Sequence, residues 1–462
     1  MDEDRLPGDD DVITNHRTKE PIMALSHLPA SLSKAFSNLA HWLDPRSASR
    51  GPVIMLGMLL ASGRRTVTSW LHAAGVTVEF RKSYVTVCAF GRAFQDISIT
   101  TVLEIRPLLP RKRLLLAIDD THTSRYGPMV EGCGIHHNPC PGPAGDQYIY
   151  GHVWVTLAAL AQHETGGTIA LPIQAQLYIR KIDLPKLPPE RPRDFRTKLE
   201  MAVDQLVWLK PWVDDFEQLW VVVDGGYAKR TFLRGAKQAG YKVVSRLRVD
   251  AALWSLPEPK PARRRGPQAT YGKERINMKE LAGQTGGWEK VECVQYGKQV
   301  TKTIKTFLAT YRPAGGIIRV VIVKEENIWL PFFSLEPEAT VVEILEAMAD
   351  RNAEEQVFKD VKEVWGAGQQ QVRNVYSNEG CFNMNLWMYT LVEKWAWDKP
   401  EAVLVDRSAS PWDNQPRRPS HNDKRKALQR EVLRCEIEEA LAGRPTKERI
   451  RELAERLLAL AA

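Results

Sequence analysis

The spacing of apolar residues changes several times along the chain, and each change predicts a different kind of structure. Residues 1–22 show no periodic apolar pattern, which is typical of a loose leader. From Leu28 to about Leu109 apolar residues recur at helical spacing, with almost no strand-like alternation. The pattern therefore predicts an all-helical N-terminal domain at residues 23–110.

One segment of this domain carries two arginines directly before a helix. Residues 63–77 read GRRTVTSWLHAAGVT, with Thr66 as a helix N-cap and Gly75 as a stop. Arg64 and Arg65 precede the cap. The helix either contacts DNA as part of a helix-turn-helix or is purely structural, and the pattern leaves both interpretations open.

Short apolar runs follow and alternate with helical stretches. In chain order they predict the strands Arg113–Asp119, Tyr150–Leu160 and Gly167–Ile179, the helix Phe195–Leu209, the strand Leu219–Asp224, the helix Ala228–Gly240 and the strand Tyr241–Leu247. The order β-β-β-α-β-α-β predicts an α/β sheet that begins with a three-strand meander.

The pattern breaks after Leu256 at a Pro- and Arg-rich stretch, and several strand-like runs follow up to residue 334. Helical spacing returns at Thr340 and holds to about Trp397. The predicted organisation beyond the N-terminal domain is a core (111–254), a basic β-rich insertion (255–335), the last helices of the core (336–400), a linker (401–423) and C-terminal helices (424–462).

The composition is that of an ordinary globular protein. Hydrophobic residues make up 44% and charged residues 26%, which excludes a mainly disordered chain. The apolar stretch at residues 53–61 is far too short to cross a membrane, and the acidic start does not resemble a secretory signal. Six scattered cysteines fit a reducing compartment. We therefore expect a cytoplasmic protein.

The net charge of +8 is concentrated in one segment. Residues 255–315 hold twelve Lys and Arg against five Glu, with Arg263, Arg264 and Arg265 in a row. Such a patch suits a polyanionic partner such as nucleic acid, although a solubilising surface is the alternative.

Acidic residues follow two of the predicted strands. Asp119 and Asp120 end the first strand, Asp224 ends the fourth, and Glu355 lies in a helix after the insertion. Open α/β sheets build their sites where strands end, and clustered carboxylates are typical ligands of Mg²⁺. A single Asp after a strand is also a common turn or cap residue, so the prediction depends on the combination.

Three motifs in order resemble those of DDE-type insertion-sequence transposases. They are IDDTHTSRYGP (Ile118–Pro128), VVVDGGYAKR (Val221–Arg230) and RNAEEQVFKDVK (Arg351–Lys362). The last resembles the Tyr-Arg-Glu-Lys signature of one cut-and-paste group, with Met348 at the Tyr position. The resemblance covers about residues 110 to 375 and implies an RNase H-like catalytic core with mixed sheet and flanking helices.

The resemblance also implies an activity and a set of ligands. Two Mg²⁺ or Mn²⁺ ions would be held by Asp119, Asp224 and Glu355, for strand cleavage at terminal inverted repeats and transfer to target DNA. It implies a homodimer in the synaptic complex, no membrane, and association with the bacterial nucleoid. Two alternatives of different kind are a catalytically silent, transposase-derived DNA-binding protein and an RNase H-like nuclease without strand transfer.

For two of the predicted metal ligands, Asp119 and Glu355, the adjacent acidic residue is an alternative. Strand alternation puts Asp119 and Asp120 on opposite faces, and similar motifs place the ligand directly after the apolar run, which favours Asp119. Glu354 lies about 100° around the helix from Glu355. Helical spacing puts Arg351, Glu355 and Lys362 on one face, where the two cations can hold DNA phosphates.

Further residues are expected to contact DNA. They are Arg64, Arg65, Arg263, Arg264 and Arg265, together with Trp329, which, like Trp288, is suited to stabilise a distorted or flipped base.

Cys133, His136, His137 and Cys140 form a C-x2-H-H-x2-C pattern. Thiolate and imidazole ligands suit zinc. The alternative is that these loop histidines contact DNA or pack near the active site, since the resembling transposases carry His-His-Asn-Pro here without needing the cysteines.

Overall fold

A mixed sheet of twelve strands runs through the computed structural model, which describes residues 28–138, 145–259, 267–326, 328–408, 412, 417–443 and 445–461. The strands are β1 (Leu114–Ser124), β2 (Gly134–His137), β3 (Tyr148–His163), β4 (Gly167–Tyr178), β5 (Leu219–Val223), β6 (Lys242–Arg246), β7 (Leu253–Trp254), β8 (Arg275–Ile276), β9 (Glu289–Gln295), β10 (Lys298–Tyr311), β11 (Gly316–Lys324) and β12 (Trp329–Ser334).

Helices flank the sheet. They are α1 (Ala30–Ala40), α2 (Pro45–Ala48), α3 (Gly51–Leu60), α4 (Val67–Ala73), α5 (Phe80–Arg92), α6 (Phe94–Ile105), α7 (Lys198–Leu209), α8 (Arg230–Gln238), α9 (Met278–Gly283), α10 (Val341–Asp350), α11 (Asn352–Glu363), α12 (Val375–Ala396), α13 (Glu401–Leu404), α14 (His421–Leu441) and α15 (Lys447–Ala461), with single 3₁₀ turns at Arg106–Leu108, Leu184–Lys186 and Lys210–Trp212. No helix among the described residues is long and apolar enough to cross a membrane.

Five strands in the order β4-β3-β1-β5-β6 form the centre of the sheet. β1, β3 and β4 are successive antiparallel neighbours, whereas β5 is parallel to β1 and β6 is parallel to β5. The parallel pairs are joined through α7 and α8, because a parallel neighbour requires a crossover. This arrangement confirms the predicted RNase H-like α/β fold.

The first strand is longer than expected. It was predicted to end at Asp119, but β1 continues to Ser124, because β3 is long enough to pair with it as far as Gly151. The catalytic candidates at Asp119 and Asp120 therefore lie within a hydrogen-bonded ladder to β3, at the point where the shorter neighbour β5 has ended.

The strands of the predicted insertion extend the same sheet. β12 pairs antiparallel with β6, with Phe333 opposite Ser245, and β11 and β10 continue outward. The sequence predicted these strands but not their continuity with the core sheet. The division of the chain into domains stays a prediction.

The two faces of the sheet bury different helices. On β1, Leu116 and Ile118 belong to a core that includes α7 and α8, whereas Leu115 and Ala117 belong to a core that includes α11, α12 and the N-terminal helices. Alternation along the strand thus decides which helices each β1 side chain faces.

The N-terminal helices pack tightly on α12. Gly91 of α5 and Gly380 of α12 face each other's helix, and a Cβ atom at Gly91 would collide with the carbonyl of Tyr376. The predicted cap at Thr66 is confirmed, since its hydroxyl accepts a hydrogen bond from the Ser69 N–H at the start of α4.

Candidate active site

Asp119 and Asp224 lie at the same edge of the sheet. The parallel register of β1 and β5 ends with Ile118 opposite Val223, so the next residue on each strand is an aspartate. β5 is fully buried, and Asp224 is the first exposed residue after it. The Gly226 N–H donates to Asp224 Oδ2 (3.2 Å), which closes the turn into α8. The two strands therefore place two carboxylates side by side.

Arg351 joins this edge to α11. Its guanidinium donates through Nη1 to Asp119 Oδ2 and through Nη2 to Glu355 Oε1 (3.1 Å). Arg351 lies between α10 and α11, where the chain breaks from one helix into the next. The predicted residues Asp119, Arg351 and Glu355 are thus brought together by direct contacts.

Negative charge is concentrated around Asp119. Burial raises the pKa of Asp119 to about 6; Arg351 opposes this effect, and Asp120 and Asp224 add to it. Burial acts to lower the pKa of Arg351, yet the carboxylates around it, Asp119 first, raise it. A bound cation would relieve the same repulsion.

Asp120 points to the opposite face of the sheet. The Lys198 ammonium lies 2.6 Å from Asp120 Oδ2, and the Tyr227 hydroxyl donates to Oδ1 (3.2 Å). Burial and the charge of Asp120 raise the pKa of Tyr227 well above its usual value. Both partners belong to the side of α7 and α8, so Asp120 is turned away from α11.

The two glutamates of α11 have opposite environments. The Glu354 side chain is fully buried, and neither carboxylate oxygen has a hydrogen-bond partner among the described residues. Burial and, next, the charge of Asp119 raise the pKa of Glu354 well above its usual value. The Glu355 side chain is 56% exposed and is paired with Arg351. Glu355 therefore faces the solvent side of the site, and Glu354 its interior.

The side chains at this edge suit a hard divalent cation. Within the part of the chain that the structure describes, no three His, Cys, Asp or Glu side chains are close enough as they stand to hold a metal ion. The donors at the edge are nevertheless carboxylate oxygens, which Mg²⁺ and Mn²⁺ prefer. The carboxylate oxygens of the buried Glu354 have no hydrogen-bond partner among the described residues, and Asp120 and Asp224 add negative charge around Asp119. The residues therefore fit such an ion.

The cationic residues predicted to contact DNA fall into three groups. Arg64 is exposed, and Lys362 is half-buried with its pKa lowered by burial; both line one cavity near the end of β1. Arg65 is partly buried, and its backbone N–H donates to Gln369 Oε1 (2.7 Å). DNA contact is also predicted for Arg263, Arg264 and Arg265, which lie outside the described residues.

Trp329 begins β12 and is partly buried against the core of the sheet. Because β12 is antiparallel to β6, Trp329 lies toward the edge where β5 ends at Asp224, two strands away. The ring of Trp288 is covered by the ammonium of Lys305, 4.7 Å from its centre.

The cysteine and histidine pattern is split between different surroundings. His136 and His137 are successive residues of β2, and their rings lie beside Tyr178 and Tyr148, respectively. Cys133 Sγ lies 3.2 Å from His152 Nε2, a contact that the sequence did not predict. Cys140 lies outside the described residues.

His152 is a buried structural histidine. Its Nδ1 accepts from Arg125 Nε (3.2 Å), and its Nε2 donates to the carbonyl of Glu131 (2.9 Å). Burial lowers its pKa to about 3, and the Arg125 charge adds to the effect. His152 therefore stays neutral and ties the loop after β1 to β3.

An RNase H-like sheet with carboxylates on two adjacent central strands, at the level where β5 ends, is typical of a nuclease class of enzyme. The profile of the DDE superfamily endonucleases matches residues 38–306, more than half of the chain, and the chain belongs to this family. Enzymes of this family generally use divalent metals. The matched range includes Asp119 and Asp224 and ends before α11. No curated protein matches the chain.

Proposed function

We propose that the protein is the DNA transposase of an insertion sequence, which cuts DNA at terminal inverted repeats and joins the ends to target DNA. The observation that carries the proposal is the convergence of Asp119, Asp224 and α11, with Arg351 in contact with both Asp119 and Glu355. The motif around Arg351, Glu355 and Lys362 supports the transposase group within the family.

Asp119, Asp224 and Glu355 are the residues that we propose to hold two Mg²⁺ or Mn²⁺ ions. When bound, such ions supply an activated water and neutralise charge on the reacting phosphate. Asp119 and Asp224 are fixed by neighbouring strands, so their backbone positions are set before any ligand binds. Glu355 is supplied by α11, which packs on the same face of the sheet as Leu115 and Ala117.

Arg351 and Lys362 are proposed to hold phosphates of the DNA strand. The guanidinium of Arg351 has a planar fork that suits phosphate as well as carboxylate. Lys362 has no carboxylate partner among the described residues, and burial lowers the pKa of its ammonium. A phosphate beside Lys362 would restore the missing counter-charge. A homodimer that pairs two DNA ends belongs to the same proposal.

The test is cleavage and joining of labelled DNA that carries the cognate ends, with Mg²⁺ or Mn²⁺. Wild type is compared with Asp224→Asn and Glu355→Gln, and with Asp214→Asn as a matched control, because Asp214 is 70% exposed and pairs with Lys210 at the surface. We expect cutting and joining by wild type and the control, and loss of both in the two site variants with DNA binding retained.

Other outcomes separate the alternatives. Tight binding of the ends without cutting by wild type indicates a silent DNA-binding protein. Cutting without joining indicates a nuclease that lacks strand transfer. Cutting that survives in Asp224→Asn contradicts the proposed site.

A further inference from the structure

A cavity of about 1000 Å³ opens beyond Asp119 along β1. Its walls come from the end of β1 and the loop after it, from the loop between α11 and α12, and from the turn before α4. His122, the nearest lining residue on β1, is three positions past Asp119, or about 10 Å at strand spacing. Stacked nucleotides rise by about 3.4 Å each along one strand, so the cavity begins about three nucleotides from Asp119.

The lining of the cavity is cationic. Arg64, Arg125, Lys362 and Arg373 line it, and none of the described lining residues is acidic. Burial, with the charge of Lys362 next, lowers the pKa of His122. An anion that enters therefore meets positive charge on several sides and no opposing carboxylate.

The floor of the cavity is fixed by Arg125. Its Nη1 donates to the carbonyls of Gly368 (2.7 Å) and Gln370 (2.9 Å), and its Nη2 donates to Asn378 Oδ1 (2.8 Å). Gly368 has φ +98°, a conformation that L side chains rarely adopt. The loop is thus held against β1 before any ligand binds.

The turn before α4 is tied to the same loop. Gln370 Nε2 donates to the carbonyls of Arg65 (3.1 Å) and Gly366 (3.0 Å). The Arg64 side chain therefore borders a preformed wall. Preformed sites of this volume are in the range that encloses small molecules.

An exposed aromatic ring completes the lining. Tyr126 is 91% exposed although it adjoins the strand that carries Asp119. Cations that follow a backbone, combined with an aromatic face for stacking, are the features of single-strand binding sites. Gln371 adds an amide group that can pair with a base edge. Duplex DNA, with a major groove that is itself about 12 Å wide, is too broad to enter a cavity of this size.

We propose that this cavity binds single-stranded DNA that begins about three nucleotides from the cut, with Tyr126 stacking on a base and Arg64, Lys362 and Arg373 contacting phosphates. The proposal rests on the proposed function, because it places the tract relative to a cut at Asp119. It assigns to Tyr126 and Arg373 a role in choosing unpaired over paired DNA.

The test measures binding of the protein to a short duplex that is blunt or carries a single-stranded overhang of about six nucleotides on either strand, which is long enough to pass from the cut into the cavity. Fluorescence anisotropy gives affinity, and 2-aminopurine in the overhang reports stacking. The variants are Tyr126→Ala, Tyr126→Phe, which keeps the ring, and Arg373→Gln. Tyr296→Ala is the matched control, because Tyr296 is 71% exposed and lies outside the cavity lining.

We expect wild type, Tyr126→Phe and Tyr296→Ala to prefer one overhang over blunt DNA, and Tyr126→Ala to bind that overhang about tenfold more weakly. Arg373→Gln should lower the slope of log affinity against log salt by about 0.7. Equal binding of blunt and overhang DNA by wild type, or an unchanged preference in a folded Tyr126→Ala, overturns the proposal.

The failure of this site and that of the proposed function are separable. A protein that prefers the overhang through Tyr126 but never cuts DNA keeps the single-strand site and rejects the transposase. A protein that cuts and joins without that preference keeps the transposase and rejects the site.

Discussion

Arg351 donates a hydrogen bond to Asp119, from a helix break more than two hundred residues later in the chain. The same guanidinium contacts Glu355, so a single cation lies between two carboxylates that are proposed to share metal ions. Arg351 thus balances part of the negative charge around Asp119. The energetic consequences of this arrangement can be measured.

Arg351→Gln should destabilise the protein at neutral pH. Asp119 would lose its opposite charge while it stays near Asp120 and Asp224, at a cost of about 2 to 3 kcal/mol in the free energy of unfolding. Because protonation of Asp119 removes that charge, the cost should shrink as the pH falls through about 6. Urea unfolding at pH 7.5 and pH 4.5 measures both values.

Arg351→Lys is the control that keeps the positive charge but cannot contact Asp119 and Glu355 through two separate nitrogens. It should lose less stability than Arg351→Gln. Mn²⁺ should raise the Tm of Arg351→Gln more than that of wild type, since the ion no longer competes with the guanidinium. An unchanged stability of Arg351→Gln at pH 7.5 would contradict this account of the charge balance.

Asp119→Asn should stabilise the metal-free protein as the pH rises. The pKa of Asp119 is about 6 in the folded state against 3.8 ordinarily, so the folded state binds the proton more tightly. Wild-type stability therefore falls as the pH rises from about 4 to 6, and Asn does not share this loss. We expect the variant to gain about 2 to 3 kcal/mol over wild type between pH 4 and pH 7. Parallel pH profiles of the two proteins would exclude this interpretation.

The fold was largely predictable because its signals are local. The fully buried β5 appears as an unbroken apolar run, LWVVV, and an aspartate follows it directly. Register then follows from the fold, since the parallel pairing of β5 with β1 puts Asp224, directly after β5, beside Asp119 of β1. Asp119 and Asp224 were therefore expected near one another before the structure was known.

The partners of the site residues were not predictable, because they depend on packing between distant segments. Asp120 meets Lys198 and Tyr227, which lie 78 and 107 residues further along the chain. The pairing of β12 with β6 likewise joins segments separated by several elements. The sequence V-V-V-D-G-G-Y indicates that Tyr227 lies near the end of β5, since a turn of that length can bring its ring back toward the strand. It does not indicate that Asp120 accepts the hydrogen bond from its hydroxyl.

Glu354→Gln and Glu355→Gln should separate the roles of the two glutamates. We expect Glu355→Gln to lower cleavage by at least about a hundredfold, because Glu355 shares Arg351 with Asp119 and is open to solvent, from which DNA approaches. Glu354→Gln should raise the free energy of unfolding at neutral pH, since it removes a buried carboxylate without partners, and should keep more activity. Cleavage assays with Mg²⁺ and urea unfolding of both variants provide the comparison. The reverse order of activity would make Glu354 the third metal ligand.

Lys424→Met should loosen α14 from α12. Both oxygens of the buried Glu393 are engaged: the Lys424 ammonium pairs with Oε2, and His421 Nδ1 lies 2.7 Å from Oε1. Burial would raise the pKa of Glu393, but Lys424 and then His421 outweigh it and lower the pKa to about 2. The variant leaves this carboxylate with a single partner, so we expect a loss of about 3 kcal/mol at pH 7 and faster proteolysis near α14.

The pH dependence of that loss follows from the same pKa. Because the pKa of Glu393 is depressed, the stability that its ion pair contributes is present above about pH 4.5 and disappears as the pH falls toward 2. Wild type and Lys424→Met should therefore converge in acid.

Lys399→Met, which removes a longer and more exposed pair with Glu431 (3.5 Å), should cost less than about 1 kcal/mol at any pH. The double variant Glu393→Gln, Lys424→Met should recover part of the loss, because it removes the unpaired charge itself. If Lys399→Met and Lys424→Met proved equally mild, the buried cluster would not be what fixes α14 to α12.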